Sequence, residues 1–337
     1  MKAICSHEIG IENVTLQDIE KPVVQPDHVL VKVSTSAINH GDIHWLRGEI
    51  ARGLYTESSL GVAGASGCGE VIEVGENVPD DYLGNKVAYY RSLNPSQYKV
   101  GSWSEFALMH YLDCIILPED TNLLDYCGSV VNIMVAYAFY KHAALSPGKG
   151  VIATAGESLT GKAILGIAQE KDIPIISIVR DDAEKQRLEP FGAKNILVQS
   201  DGDFEEKLES LSEELNTTEV FDGVGGPLLS RILPLLPFGS TTHSYGFLAY
   251  YTGEDDLLTN TMVIFQKNLK VTGFAVMRNE TTLNQENLRS AMNDLRAFVD
   301  KPHFRIEAGK IFRPEEFKEA IDFAADPKNK DKAVFKF

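Results

Sequence analysis

The stretch VIATAGESLTGKAILG at 151–166 runs from β-forming residues through a small-residue turn into a helical pattern. Gly156, Ser158 and Gly161 hold the three places of a G-x-G-x-x-G pattern, with serine at the second. The first place permits a tight turn, the second lets backbone approach a pyrophosphate, and the third lets the helix pack closely on the strand. Leu159 and Thr160 complete the loop where a helix N-terminus would face an anion. A plain strand-to-helix turn needs the same glycines, and Glu157 suits an anion site only if its carboxylate points away. The next apolar run, PIISIV, ends in Val179, Arg180 and Asp181. A carboxylate at that place holds the ribose diol of NAD, whereas a guanidinium suits the 2′-phosphate of NADP. Arg180 comes first, so NADPH is favoured over NADH. Asp181 keeps NADH open, and a solvated charge at a helix start is the plain alternative for Arg180.

His40, Asp42 and His44 form an H-x-D-x-H triplet. Residues two apart on a helix point away from each other, so the three do not share a face and no metal site is expected. A loop turning into a short helix, with Asp42 near its N-terminus, accounts for them. Cys5, Cys68, Cys114 and Cys127 form no CxxC pair, which argues against a zinc ribbon or a disulfide framework and fits a reducing compartment.

These residues must be positioned by a chain of 337 residues, long enough for two cores. The net charge of −16 argues against nucleic-acid and anionic-membrane partners. The longest apolar stretch, at 130–140, is too short to span a bilayer, and the N-terminus lacks the core of a signal peptide. A cytoplasmic protein acting on a small molecule is expected.

Up to Pro118 short strands alternate with glycine and proline turns, which predicts a mostly β domain. Residues 121–143 read as a helix. Strands and helices then alternate from 150 to Tyr245, with helices at 160–171, 182–191, 203–215 and 227–236, predicting a doubly wound parallel sheet. A further strand is expected at 268–276, a helix at 284–300, a strand at 307–312, a helix at 314–325 and a short final strand.

Several segments then resemble one family. SAINHGDIHWLRG (36–48) looks like an N-x-x-D segment. ASGCGEVIEVGENV (65–78), GSWSEFALM (101–109) and VNIMVAYAFY (131–140) follow in the family's order. FDGVGG (221–226), SYGFLA (244–249) and LKVTGF (269–274) resemble its later cofactor-wall segments. Together they resemble the medium-chain dehydrogenase/reductases, in particular the zinc-free quinone oxidoreductases and 2-enoyl thioester reductases. The resemblance implies an α/β fold: a GroES-like β domain from 1–118 and 268–337, and a Rossmann dinucleotide-binding domain at 119–267. It implies a cleft between them, cofactor contacts at Val224, Gly225, Tyr245, Gly246, Phe274 and Val276, and a homodimer.

The zinc alcohol dehydrogenases of the family carry Cys where this chain has Asn39 and a His-Glu pair at Gly64-Ala65, and the four-cysteine lobe is absent, so no zinc is expected. Without a Lewis acid, hydride suits an acceptor already activated, a quinone or an α,β-unsaturated carbonyl, reduced by NADPH. A 2-enoyl thioester reductase is the nearer alternative, although the ungapped position of its tyrosine is Ile50. Tyr55 is the candidate proton donor, and Asn39 and Asp42 are candidates to hold substrate or cofactor amide. Val135 stands where the family often has Thr near the nicotinamide. A non-catalytic NADPH-binding sensor or structural protein is the remaining alternative. The polar, aromatic segment 89–103 is expected at the substrate mouth, with Tyr90, Arg91 and Trp103 as candidate substrate contacts. His243 is expected as a buried, satisfied histidine.

Overall fold

The computed structural model describes residues 1–49, 58–297, 299–306, 308–326, 329 and 331–337. The chain divides into Met1–Val131 with Glu280–Phe337, and Asn132–Asn279.

In the first unit, β1 (Lys2–Cys5) and β2 (Thr15–Asp18) form an antiparallel pair. The organising strand is β3 (His28–Ala37), rich in the valine and threonine that fit a pleated surface. One edge of β3 pairs with β4 (Ser66–Val74). On the other edge, residues 28–32 pair with β6 (Phe106–His110) and residues 35–37 with β15 (Lys332–Lys336). The sheet continues through β5 (Lys86–Tyr90) and β7 (Cys114–Ile116) on one side and β14 (Ala308–Phe312) on the other. Ile4, Leu46, Trp103, Phe312 and Phe335 centre its core, with the Trp103 and Phe335 rings edge to face at 5.3 Å. The apolar face of α10 (Phe317–Ala325) closes this core with Phe317, Ala320 and Ile321. Helix α1 (His40–Arg47) follows β3, and α8 (Glu280–Leu283) leads into α9 (Gln285–Arg296).

In segment 89–103 the three candidate substrate contacts are covered, while Pro95, Gln97 and Tyr98 are exposed. Tyr90 is buried, and Arg91, Lys99 and Trp103 are fully so. Its charges are absorbed internally. Lys99 Nζ lies 2.6 Å from Asp113 Oδ2 and also donates to the Arg91 and Asn94 carbonyls. Arg91 donates to the Val62 carbonyl at 3.1 Å.

Helix α2 (Ser129–His142) leads into the second unit and is shorter than the expected 121–143, because a separate 3₁₀ turn at Leu123–Asp125 precedes it. The second unit is a sheet of six parallel strands: β8 (Val151–Ala153), β9 (Ile175–Val179), β10 (Asn195–Val198), β11 (Glu219–Asp222), β12 (Thr241–Ser244) and β13 (Lys270–Gly273). Their order, β10–β9–β8–β11–β12–β13, is the doubly wound 3-2-1-4-5-6 arrangement, whose direction reverses between β8 and β11. The strand at Lys270–Gly273, assigned from sequence to the first domain, pairs here with β12. The connecting helices are α3 (Leu159–Glu170), α4 (Asp182–Leu188), α5 (Phe204–Glu214), α6 (Gly226–Ile232) and α7 (Thr261–Lys267). Helices α4 and α6 tighten into 3₁₀ turns at Glu189–Phe191 and Leu233–Leu235. Pro190 and Pro234 sit in those turns, and proline lacks the amide that would continue an α-helix. Among the described residues no helix is long and apolar enough to cross a membrane.

Candidate active site

In the second unit the ends of β8, β11 and β12 converge on the point where strand order reverses, the place where open α/β sheets bind ligands. Asp222, at the end of β11 and fully buried, ties them together. Its Oδ1 accepts from Thr154 Oγ1 at 2.8 Å and from the Val224 and Gly225 amides at 3.2 Å. Its Oδ2 accepts from Ser244 Oγ at 3.3 Å, and Thr154 Oγ1 in turn takes the Gly223 amide at 2.8 Å. Burial pushes the Asp222 carboxyl above its ordinary value, against the pull of these donors.

The glycine loop leaves β8 and enters α3. Ser158 is the N-cap, its Oγ accepting from the Gly161 amide at 3.1 Å. The Leu159 and Thr160 amides have no acceptor within the helix and stand at its N-terminus, the ordinary place for an anion. The loop's left-handed residue is Ala155, at φ 50°, rather than Gly156. Gly156 is needed for close packing: a β-carbon there would lie 3.0 Å from Ser177 Cβ. A β-carbon on Gly161 would overlap the Ala155 and Gly156 carbonyls. Glu157 turns aside to Arg187 at 3.3 Å and Lys162 at 3.8 Å. Thr160 Oγ1 donates to Asn132 Oδ1 at 2.9 Å.

Tyr245 follows β12 and its ring stacks on Phe221 at 4.0 Å. Burial raises its hydroxyl well above the ordinary value, and a hydrogen bond with Ser158 opposes the shift. Gly225, at φ 74°, has open space where a side chain would stand. Gly246 lies against Gly223, its β-carbon position 2.8 Å from the Gly223 carbonyl. Thus Gly156, Ser158, Leu159, Thr160, Gly161, Val224, Gly225, Tyr245 and Gly246 come together. Val179, Phe274 and Val276 are buried, and the Phe274 ring packs against Phe139, His142, Phe221 and His243. His243 is buried with Nε2 2.8 Å from Glu219 Oε2, while its Nδ1 finds no partner among the described residues.

Arg180 and Asp181 stand at the end of β9, but Arg180 is already paired, with Glu184 at 2.5 Å and Asp181 at 3.3 Å. Asp181 caps α4, accepting from the Glu184 amide at 2.9 Å.

The first unit carries the other candidates. Asn39 is the N-cap of α1, and Asp42 Oδ2 reaches back to its amide at 2.7 Å. Asn39 Nδ2 donates to Ser66 Oγ at 2.6 Å, and Lys332 Nζ donates to Asn39 Oδ1 at 2.6 Å. Burial holds the Lys332 ammonium below its ordinary value, with Asp42 opposing. Lys332 and Asp222 went unmarked in the sequence. Asp222 was signalled by a carboxylate ending a buried strand, whereas nothing local marks Lys332, which meets Asn39 across 293 residues. His44 pairs with Glu49, and among the described residues no three side chains are grouped to hold a metal ion. Tyr55 and Ile50 lie outside the described residues.

Comparison with known proteins agrees with this architecture. The alcohol dehydrogenase GroES-like domain matches residues 25–119. The human mitochondrial enoyl-[acyl-carrier-protein] reductase is 26% identical over 266 residues, covering 77% of this chain and 68% of its own. A quinone oxidoreductase of Pseudomonas syringae superposes with a TM-score of 0.78 at 18% identity, covering 100% of this chain and 99% of its own. The Escherichia coli quinone oxidoreductase complexed with NADPH superposes with a TM-score of 0.77 at 19% identity over 100% of both chains. A GroES-like domain that leads into a 3-2-1-4-5-6 sheet is the architecture that the resemblance to the medium-chain dehydrogenase/reductases implies.

Proposed function

We propose that the chain is an NADPH-dependent oxidoreductase that delivers hydride to quinones or α,β-unsaturated carbonyls without zinc. The observation that carries this reading is the β8–α3 loop at the point where strand order reverses. There the Leu159 and Thr160 amides stand at the N-terminus of α3, and Gly225, after β11, has open space where a side chain would stand. Those amides would hold a pyrophosphate, and Arg180 stands at the strand end where a 2′-phosphate would lie. The nicotinamide, when bound, supplies the hydride.

The donor set supports chemistry without zinc. Where the zinc enzymes of the family carry the ligands Cys and His, this chain has Asn39 and Gly64. Gly64 has φ 83°, and a β-carbon there would overlap the Trp103 ring, so histidine has no room. The hydrogen bonds of Asn39 and the ammonium of Lys332 offer donors for a developing oxyanion instead. Tyr55 remains the proposed proton donor, with Asp42 holding Asn39 in place.

A 2-enoyl thioester reductase is the second reading, favoured by the 26% identity to the human enoyl reductase. We also propose a homodimer. Among the described residues the outer edge of β13 is unpaired and its residues are exposed, and Phe238, Met262 and Phe265 of the same unit are exposed too, as a self-pairing face requires. Four unpaired, buried cysteines fit a cytoplasmic setting.

The test is a titration of NADPH and NADH followed by nicotinamide fluorescence, then a panel of quinones, enones and 2-enoyl thioesters followed by NADPH absorbance. Turnover of quinones or enones that falls sharply in Tyr55→Phe is expected. Turnover confined to thioesters selects the second reading, and cofactor binding with no turnover selects a non-catalytic protein. Sedimentation of the wild type against Phe265→Glu tests the dimer.

A further inference from the structure

The end of β9 is where coenzyme choice is made in the proposed reading, and Arg180 is not waiting there for a phosphate. Glu184 grips it twice. Glu184 Oε2 accepts from the Arg180 backbone amide at 2.8 Å, and Oε1 accepts from the guanidinium at 2.5 Å. Asp181 adds a third carboxylate contact at 3.3 Å from Arg180 Nε. Glu184 is set in this pose by its own amide, which donates to Asp181 Oδ1. The Glu184 side chain is largely covered, at 14% exposed, whereas that of Arg180 is 53% exposed. Glu184 therefore stays while the guanidinium can be drawn off by a stronger anion.

Charge points the same way. Residues 180–184, RDDAE, carry one positive and three negative side chains. A dianionic 2′-phosphate arriving there meets, within residues 180–184, one cation that is already paired and a surplus of negative charge. Neighbouring cations are engaged too: Arg187 and Lys162 both pair with Glu157. Lys185 lines a separate cleft along β10 with Lys194 and Lys207. The uncharged diol of NADH meets none of this cost and finds Asp181 beside it.

We propose, resting on the dinucleotide reading above, that Glu184 is a coenzyme-specificity residue: it holds Arg180 in an internal ion pair that a 2′-phosphate must displace, and so narrows the preference for NADPH over NADH. Glu184 acts through Arg180 and touches neither reacting atom, so its effect belongs in cofactor binding and not in hydride transfer.

The experiment is calorimetric titration of 2′,5′-ADP and 5′-AMP, and fluorescence titration of NADPH and NADH, into the wild type, Glu184→Gln, Glu184→Ala and Arg180→Ala. Both Glu184 variants are expected to bind 2′,5′-ADP and NADPH about fivefold or more tightly, from release of an exposed-type ion pair and removal of one negative charge. NADH and 5′-AMP are expected to move less than twofold. Arg180→Ala is expected to weaken the phosphate-bearing pair alone and to abolish the gain when combined with Glu184→Gln. A ratio of 2′,5′-ADP to 5′-AMP affinity that does not move, or that falls, in folded Glu184 variants overturns the proposal and leaves the dinucleotide reading standing. Binding of none of the four ligands by the wild type overturns both.

Discussion

The hydroxyl of Tyr245 stands 2.5 Å from the point that a β-carbon on Gly223 would occupy. The tyrosine ring is stacked on Phe221, and that ring on Phe139 at 4.2 Å, so it cannot simply withdraw. Gly223→Ala is expected to cost about 1–3 kcal/mol by overpacking. In a Tyr245→Ala background the same substitution has open space, and most of its cost should vanish. A double-mutant cycle by urea unfolding measures this. Additive costs would mean that the glycine serves backbone geometry alone.

Asp222 welds three strand ends through one carboxylate, with Thr154, Val224, Gly225 and Ser244 as donors. Asp222→Ala leaves buried donors without acceptors and should cost about 2–4 kcal/mol. Asp222→Asn keeps an acceptor for Thr154 and should cost much less. NADPH affinity should follow the same order, because the Gly225 turn is held by the same oxygen. Denaturation and cofactor titration of both variants decide it; equal losses would count against the weld.

Lys99 and Asp113 form an ion pair with no exposed surface. Burial pushes the Asp113 carboxyl up to about 7 against the pull of Lys99, and burial draws Lys99 down. Asp113→Asn leaves the ammonium buried without its partner and should cost about 3–5 kcal/mol. Lys99→Met combined with Asp113→Leu removes both charges and should cost less than either single change. Chemical denaturation at pH 7 supplies the comparison.

The parallel sheet was legible because runs such as IISIV at Ile175–Val179 are apolar throughout, as strands buried on both faces must be. The glycine loop was legible as a loop, yet its left-handed φ falls on Ala155 and not on Gly156. Gly156 instead meets a packing demand set by Ser177 on the next strand, where a β-carbon would lie 3.0 Å from Ser177 Cβ. The burial of Tyr90, Arg91 and Trp103 was not legible for a related reason. Tyr, Arg and Lys side chains look like surface until Asp113 is brought against Lys99, and local patterning says nothing of that pairing. Lys332 and Asn39 are joined by the antiparallel register of β15 on β3, which no single segment encodes.

His110 supplies the pH dependence. It is buried, stacked on Tyr111 at 5.0 Å and edge-on to His28 at 5.5 Å, with its Nδ1 accepting from the Leu112 amide at 3.1 Å. Burial lowers it from 6.5 to about 4; His28, Lys99 and Arg289 push the same way, and Asp27 opposes. A depressed histidine favours the folded state fully above its unfolded value, and that advantage is lost as pH falls through the folded value. Stability should therefore decline between pH 6.5 and 4, by at most about 3 kcal/mol from this residue. His28, also lowered by burial, adds to the decline. His110→Asn retains a side-chain acceptor for Leu112 and removes the titration. Its unfolding free energy should therefore fall less steeply over that window than that of the wild type. Parallel slopes for the two proteins in urea titrations from pH 7 to 4 would show that His110 is not the group being protonated.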